Sequence, residues 1–370
     1  MVVGALSPLA DGLGMSHAEA GMVMSVYAAA YAIASPLAVA FTGRLDRRSV
    51  ILAGMAVYLA AVVLSVFAPN TEVLLAARAL SALGAGMVTP VAAAIAVAVS
   101  PPSRRGGALA AVFAGFPLAM LAGIPAGSFV GYTAGWRATF ALVVAISAVA
   151  LAGILWRVPR IRTPATTLSG LRHALASPTL MVAVLITASM MAAVWILFTY
   201  FAPLLEDRMG YGRNGVTLVL IVYGSGAVVG NLIGGTLTDR IGPPRALGMV
   251  AAVSVLVMPL FSFLPMPDLV VAVLAFTWGV AGWAFMVPQQ SRLVAIAPES
   301  QNVSLALNAS AIYVGAALGS TAGGAILAGL GFDALGWFGG LAALGVLAHI
   351  FVSIWLERRK AHVAESSAAE

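Results

Sequence analysis

Apolar runs of about 20 residues follow one another along nearly the whole chain, broken only by short polar stretches, and no other feature restricts its fold so tightly. A run of that length crosses the hydrocarbon core of a bilayer as a helix. Within lipid no water satisfies the backbone, so only helices and closed barrels can span it. Barrel strands would give alternating segments of roughly 10 residues. These runs are longer and apolar on every face, so helices follow. Composition bears on one further point. Of the 370 residues 61% are hydrophobic and 9% charged, against about 25% charged in soluble domains. Such a chain cannot clothe a water-facing surface. The fold class is an all-α polytopic membrane protein.

Full spans are predicted at about 18–41, 49–68, 72–99, 105–131, 137–156, 179–203, 214–237, 245–264, 268–296, 302–330 and 335–356. Ahead of them lies a stub, Met1 to about Leu9. At 1.5 Å per residue it covers about half of a 30 Å core. The expectation is eleven full spans plus a truncated first helix.

Lys and Arg set the orientation. Fifteen fall in one set of loops and the C-terminal tail, including Arg44, Arg47 and Arg48, and three fall in the opposite loops. This bias places the first set and the C-terminus in the cytoplasm. The basic pI, about 10.1, then reflects topology and gives no reason to expect nucleic acid as a partner. There are no cysteines, so disulfides and thiol chemistry are excluded. His17, His173, His349 and His362 are scattered, which argues against a His-rich metal site. The first residues carry no basic stretch, so no secretory signal peptide is expected there. No nucleophile–base–acid cluster, metal set or phosphate loop is visible, so an enzyme is not expected.

The chain repeats itself. Gly43-Arg-Leu-Asp46-Arg47 recurs as Gly235-Thr-Leu-Thr-Asp239-Arg240, with Asp46 and Asp239 separated by 193 residues. Span ends Val-Ala-Val-Ser-Pro101 and Val-Ala-Ile-Ala-Pro298 differ by 197, Gly123/Gly127 and Gly319/Gly323 by 196, and Gly135-Trp136 and Gly336-Trp337 by 201. Four matches in order, with a slowly drifting offset, indicate two helical bundles of about six helices each. The expected boundaries are an N-terminal bundle over 1–156, a cytoplasmic linker over 157–178, a C-terminal bundle over 179–356 and a tail over 357–370.

Three stretches resemble the major facilitator superfamily. Thr42-Gly-Arg-Leu-Asp46-Arg47-Arg48 is similar to that family's loop between helices 2 and 3, with its basic tail compressed. Arg78-Ala-Leu-Ser-Ala-Leu-Gly84-Ala-Gly86 resembles the helix 4 motif. Gly115, Gly123-Ile-Pro125-Ala-Gly127 and Gly131 resemble the helix 5 motif of proton antiporters, followed by Gly135-Trp136-Arg137 and Phe140. Gln290-Ser-Arg292 and Ala306-Leu-Asn308-Ala-Ser continue the likeness, which covers essentially the whole chain. Tyr313 stands where relatives often have Asn. Within the superfamily the nearest likeness is to drug/proton antiporters, a group that includes arabinose, sugar and purine efflux permeases.

The resemblance implies two pseudo-two-fold-related six-helix bundles in a bacterial inner membrane. It also implies roles. Asp46, with Arg44, Arg47 and Arg48, would latch the cytoplasmic side closed, since such a pair is broken in only one of two states. The plain alternative is positive-inside topology, which accounts for the arginines and leaves the Asp unaccounted for. Asp239 with Arg240 would be a weaker copy. Arg78, about seven residues into its span, would couple protons or pair with solute; the alternative is snorkelling to the nearby interface. Gly123, Pro125 and Gly127 would set transport direction, or serve close helix packing alone.

Candidates for a polar or aromatic cavity are Tyr27, Tyr31, Trp195, Phe198, Tyr200, Tyr223, Asn231, Trp278, Trp283, Gln289, Gln290, Asn308 and Tyr313. For Asn231 and Asn308 a hydrogen bond between helices is the competing account.

None of the 13 acidic residues falls at mid-span. In the resembled group a Thr-Glu-Phe sequence in helix 1 precedes a segment like Val-Val-Gly4-Ala-Leu-Ser-Pro8. The expectation is that Met1 is internal, with the proton-binding Glu upstream; the rival is a truncated gene product. The reading is a proton-coupled exporter of a small organic solute, acting by alternating access, with the proton gradient as energy source and no cofactor. An importer or uniporter of the same fold is the alternative, as is a non-transporting membrane receptor or regulatory protein. One chain holds both halves, so a monomer is expected.

Overall fold

A computed structural model describes the chain apart from residues 43–44, 102–107, 109–110, 113–114, 162–171, 173, 299–300 and 369–370. The described residues contain helices and no strand. A 3-10 turn, Val2–Ala5, leads into α1 (Leu6–Leu13). Then come α2 (His17–Thr42), α3 (Arg47–Val66) and α4 (Thr71–Val99). The fifth predicted span is described over Gly115–Leu118, a π turn at Ala119–Gly123, and α5 (Ile124–Ala134). α6 (Trp136–Arg157) closes the first half. The second half holds α7 (Pro178–Phe198), α8 (Phe201–Met209), α9 (Arg213–Ile241) and α10 (Pro243–Val257). It continues through α11 (Asp268–Ala284), α12 (Met286–Ile296), α13 (Gln301–Leu330) and α14 (Phe332–Ala368).

Ten of these stretches are long and apolar enough to cross a membrane, α7 with α8 and α11 with α12 each counting as one. The stub is a shorter apolar helix, Val2–Leu13. The polar residues between spans start the helices. Ser16 and Glu19 form a reciprocal cap at the head of α2: the Ser16 amide donates to Glu19 at 2.8 Å, and the Glu19 amide donates back to the Ser16 hydroxyl at 3.2 Å. Asn70 accepts from the Val73 amide ahead of α4, and Ser177 from the Leu180 amide ahead of α7.

The same packing recurs in both halves. The stub packs on α5, α2 on α4 and α3 on α6; correspondingly α7 packs on α13, α9 on α11 and α10 on α14. This repetition is the structural form of the sequence repeat. Glycines set the closest approaches. Gly226, Gly230 and Gly234 of α9 lie against the Phe276, Val280 and Ala284 carbonyls of α11. Gly315, Gly319 and Gly323 of α13 lie against the Ala188, Ala192 and Ile196 carbonyls of α7. Backbones that approach this closely gain dispersion contacts, which lipid does not supply between helices. The halves meet where α2 lies on α13, where the π turn and α5 lie on α9, and where α1 touches α8.

Candidate functional site

Arg78 is a charge buried among helices. Seven residues into α4, it lies about 10 Å from the helix start and is only 7% exposed. Its guanidinium carbon sits 4.2 Å from the centroid of Tyr27 on α2 and 5.9 Å from that of Phe140 on α6. Its Nε donates to the Val23 carbonyl across a long 3.5 Å. Tyr58 of α3 lies close enough to feel its charge. Among the described residues Arg78 forms no salt bridge. Magnitudes frame what this means. A desolvated cation–π contact contributes about 2 kcal/mol, whereas a charge at membrane depth costs about 3 kcal/mol or more. The Tyr27 and Phe140 faces offset part of that cost.

Tyr27 and Tyr31 stand one turn apart on α2 and so share a face. Tyr31 stacks on Tyr313 of α13 with centroids 3.7 Å apart and planes at 27°, while Tyr27 lies 6.5 Å from the same ring. The residue that departs from the expected Asn is therefore the one that reaches across to the other half. Arg78, Tyr27, Tyr31 and Tyr313 form one chain of contacts from α4 to α13.

A second feature lies between the π turn and the C-terminal half. A cavity of about 20 Å³ is lined by Met120 from the π turn and by Met191, Trp195, Phe198, Tyr223 and Trp283. That volume holds about one water. Behind it Phe198 stacks on Tyr223 at 4.7 Å, and Trp278 meets the edges of Phe201 and Tyr223 at 5.2 and 4.9 Å. A solute enters this space only if rings or methionines move aside, and methionine is the side chain best able to do so.

A model described as Major Facilitator Superfamily matches residues 1–320. The chain belongs to the major facilitator superfamily. It is similar to the inner membrane transport protein YdhP of Escherichia coli K12, 30% identical over 366 residues that span 98% of this chain and 94% of that protein. It is likewise similar to two MFS-type transporters of Bacillus subtilis 168. YtbD is 29% identical over 96% of this chain and 91% of its own length, and YbcL 27% identical over 96% and 90%. The chain is thus a multi-pass membrane transporter of small molecules and not an enzyme.

The transporter's other predicted site residues lie apart from these two features. Tyr200 is not among the residues that line the cavity: its hydroxyl donates to the Ser320 carbonyl at 2.9 Å, and its ring fills the space left by Gly21, Gly323 and Gly324. It is a packing piece between the halves. Asn308, 2% exposed, accepts from Thr187 of α7 at 2.5 Å, which makes it an interhelical hydrogen bond inside the second half. Gln290 is exposed, while Gln289, turned about 100° from it, is buried and donates to the Ala183 carbonyl at 2.7 Å. Asn231 is half-buried, two turns along α9 from Gly224, whose face abuts Met120 and Leu121.

Asp46 caps α3. Its carboxylate accepts from the Ser49 amide and hydroxyl, both at 3.0 Å. The Ser49 amide holds its pKa below the usual carboxylate range, with smaller help from the Ser49 hydroxyl, the Ile161 backbone and Arg160. The cap is charged above the ordinary Asp pKa and is lost as pH falls through the lowered one. Arg48 donates to the Leu155 carbonyl at 2.7 Å, the Arg47 guanidinium to Thr42 at 3.4 Å and the Arg47 amide to Ile161 at 2.8 Å. These bonds tie the loop to its own half and its adjoining linker. Arg44 lies outside the described residues. Asp239 and Arg240, at the end of α9, are exposed. Gly123 belongs to the π turn, Pro125 begins α5, and Gly127 gives room for the Met1 backbone.

Met120, Met191 and Tyr58 escaped the sequence reading. Fifteen methionines are spread through apolar spans, and none carries a local mark of its surroundings.

Proposed function

We propose that this transporter is a proton-coupled exporter of the inner membrane, with the arginine-rich loops and C-terminus in the cytoplasm. The observation that carries the reading is the chain of contacts from buried Arg78 through Tyr27 and Tyr31 to Tyr313. A cation without a carboxylate partner among the described residues sits one ring away from where the two halves touch, so the ring that covers it loses its neighbour across the interface whenever the halves part. Such a group can bind an anion, a proton-bearing carboxyl or a polar solute in one state and not in the other.

The distribution of inter-half contacts supports the direction. At the end away from the arginine loops the halves are joined by Ser7 to Glu206, by His17 to Phe332 with rings 6.0 Å apart, and by Tyr200 against Gly21. Among the described residues at the basic end, the hydrogen bonds of Asp46, Arg48 and Arg292 stay within one half. This arrangement suits a carrier closed outward and receptive to solute from the cytoplasm. The methionine and tryptophan cavity suits solutes with an apolar or aromatic part.

Inside-out vesicles test the reading. An aromatic dye, a pentose and a purine are added in turn while luminal pH is followed. Export predicts that a transported solute accumulates in the lumen as protons leave it, and that collapsing the gradient stops both. Solute flux indifferent to the gradient would remove proton coupling. Gradient-driven movement in the other direction would make the protein an importer. In the same assay Trp283→Ala should raise the apparent KM for the dye about fivefold, the size of one lost aromatic contact of about 1 kcal/mol, and leave the pentose unaffected. An equal loss for both would deny the cavity a role in recognition.

A further inference from the structure

At the end away from the arginine loops one ring of the second half is seated in the first. Tyr200 lies at the break between α7 and α8 and has no exposed surface. Its hydroxyl donates to the Ser320 carbonyl of α13 at 2.9 Å, which ties the ring to its own half. One edge of the ring faces Gly323, and the other faces Gly21 of α2, across the interface. A methyl carbon built on Gly21 would overlap the Tyr200 hydroxyl and stand 2.5 Å from Cζ and 2.7 Å from Cε1. The ring has little room to retreat. A shift away from Gly21 pulls the hydroxyl off Ser320 and drives Cε2 onto Gly323, whose Cβ position is already 2.9 Å from it. Gly21 has ordinary helical backbone with no positive φ, so conformation does not call for glycine there. Among the described glycines, Gly21, Gly224 and Gly324 are approached from the opposite half. At Gly224 and Gly324 the approaching atoms are backbone; at Gly21 they belong to a side chain.

We propose that Tyr200 and Gly21 are the plug and socket of a steric gate, and that the bare backbone at position 21 is what lets this end close. This rests on the reading above that the halves part at this end, outermost, when solute is discharged. Parting carries Gly21 away with α2, while Tyr200 stays with α13. A side chain at position 21 is therefore costly in the closed state and free of the ring in the open one. Such a difference between states is what moves an equilibrium. One methyl group forced into packed space shifts the ratio of open to closed at least about fivefold. The helix itself does not suffer, because alanine is a better helix former than glycine. The gate involves no proton and no charge, so it works the same way whatever drives transport.

The chain has no cysteine, so an introduced pair reports without interference. Ala134→Cys at the end of α5 and Leu269→Cys at the start of α11 are both exposed and sit on opposite halves at this end. Spin labels on the full chain in nanodiscs give their separation. Gly21→Ala should raise the ratio of long to short distances at least about fivefold and keep the sharp size-exclusion peak of the parent. Tyr200→Leu shortens the plug, and in that background Gly21→Ala should leave the ratio where it was. Tyr200→Phe keeps the ring without the hydroxyl, and in that background Gly21→Ala should give a smaller rise than in the parent. An unchanged ratio in Gly21→Ala, or an equal rise in all three backgrounds, would overturn the proposal. So would loss of the folded peak in Gly21→Ala, because the clash would then not be confined to one state. The reading beneath it is tested separately. Reaction of the Ala134→Cys variant with an impermeant maleimide from the cytoplasmic side would reverse the orientation and leave the plug in place. A working plug without solute-coupled proton movement in vesicles would take proton coupling away and leave the gate.

Discussion

Arg78→Gln should reduce solute-driven proton movement in inside-out vesicles by at least about tenfold while leaving the melting temperature unchanged or higher. The two halves of this expectation have different origins. Glutamine keeps most of the length and some hydrogen bonding of arginine but carries no charge. It gives up the contact with Tyr27 at 4.2 Å, worth about 2 kcal/mol when desolvated, and with it any anion that the guanidinium attracts. A factor of ten requires only about 1.4 kcal/mol. Stability moves the other way, because removing a charge that has no salt-bridge partner relieves its desolvation cost. Arg78→Lys keeps the charge without the planar face and should fall between the two. Scanning fluorimetry on detergent-solubilised protein checks the stability half. Wild-type coupling in the Gln variant would assign Arg78 to packing and topology. A collapse in melting temperature would make it structural.

Gly230→Leu should abolish the folded protein. A Cβ at position 230 falls 2.2 Å from the Val280 carbonyl oxygen and 2.8 Å from Cα and C of the same residue. Real contacts do not come below about 3 Å, and the obstacle is backbone, so α9 and α11 must separate. Gly279 makes the reciprocal approach, its Cβ position lying 2.3 Å from the Tyr223 carbonyl, so separation undoes a whole seam. Overpacking of this kind costs about 3 kcal/mol or more, against a total stability of about 5–15 kcal/mol for a folded domain. Size-exclusion profiles of fluorescent fusions should lose the sharp main peak. Gly235→Ala and Gly248→Ala, where a Cβ meets nothing within 4 Å, should be indistinguishable from the parent. A sharp peak for Gly230→Leu would mean that the α9–α11 seam is looser than the glycine spacing implies.

The spans were legible because hydrophobicity is a property of each stretch on its own. The cap at Ser16 and Glu19 went unread, although the three-residue spacing carries its reciprocal hydrogen bonds. Breaks inside an apolar run were not legible. The chain leaves regular helix at Thr199 and Tyr200 and again at Phe285, with no polar residue heavy enough to mark the place. The sequence singled out Asp46 by its arginine neighbours, but the nearer partner was Ser49, three residues on, which makes the carboxylate a helix cap. Tyr27 and Tyr31 could be placed on one helix face from their spacing. That Tyr313, some 280 residues away, would stack on them depends on how two bundles dock, and no local pattern encodes it. Asn308 shows the same limit from the other side. Its amide was rightly marked as needing a partner, and the partner was a threonine on a neighbouring helix.

An α-helix turns through about 100° per residue, and a π turn spends one residue more on the same circuit. The stretch ahead of Ala119 and the stretch after Gly123 are therefore out of phase by about 100°, as two dials on one shaft set to different hours. One setting turns Gly127 and Gly131 toward the N-terminal turn at Met1 and Ala5. The turn itself lays Met120 and Leu121 on Gly224 of the opposite half. A helix without the surplus residue would have a single phase, and would have to give up one of these two neighbours to keep the other.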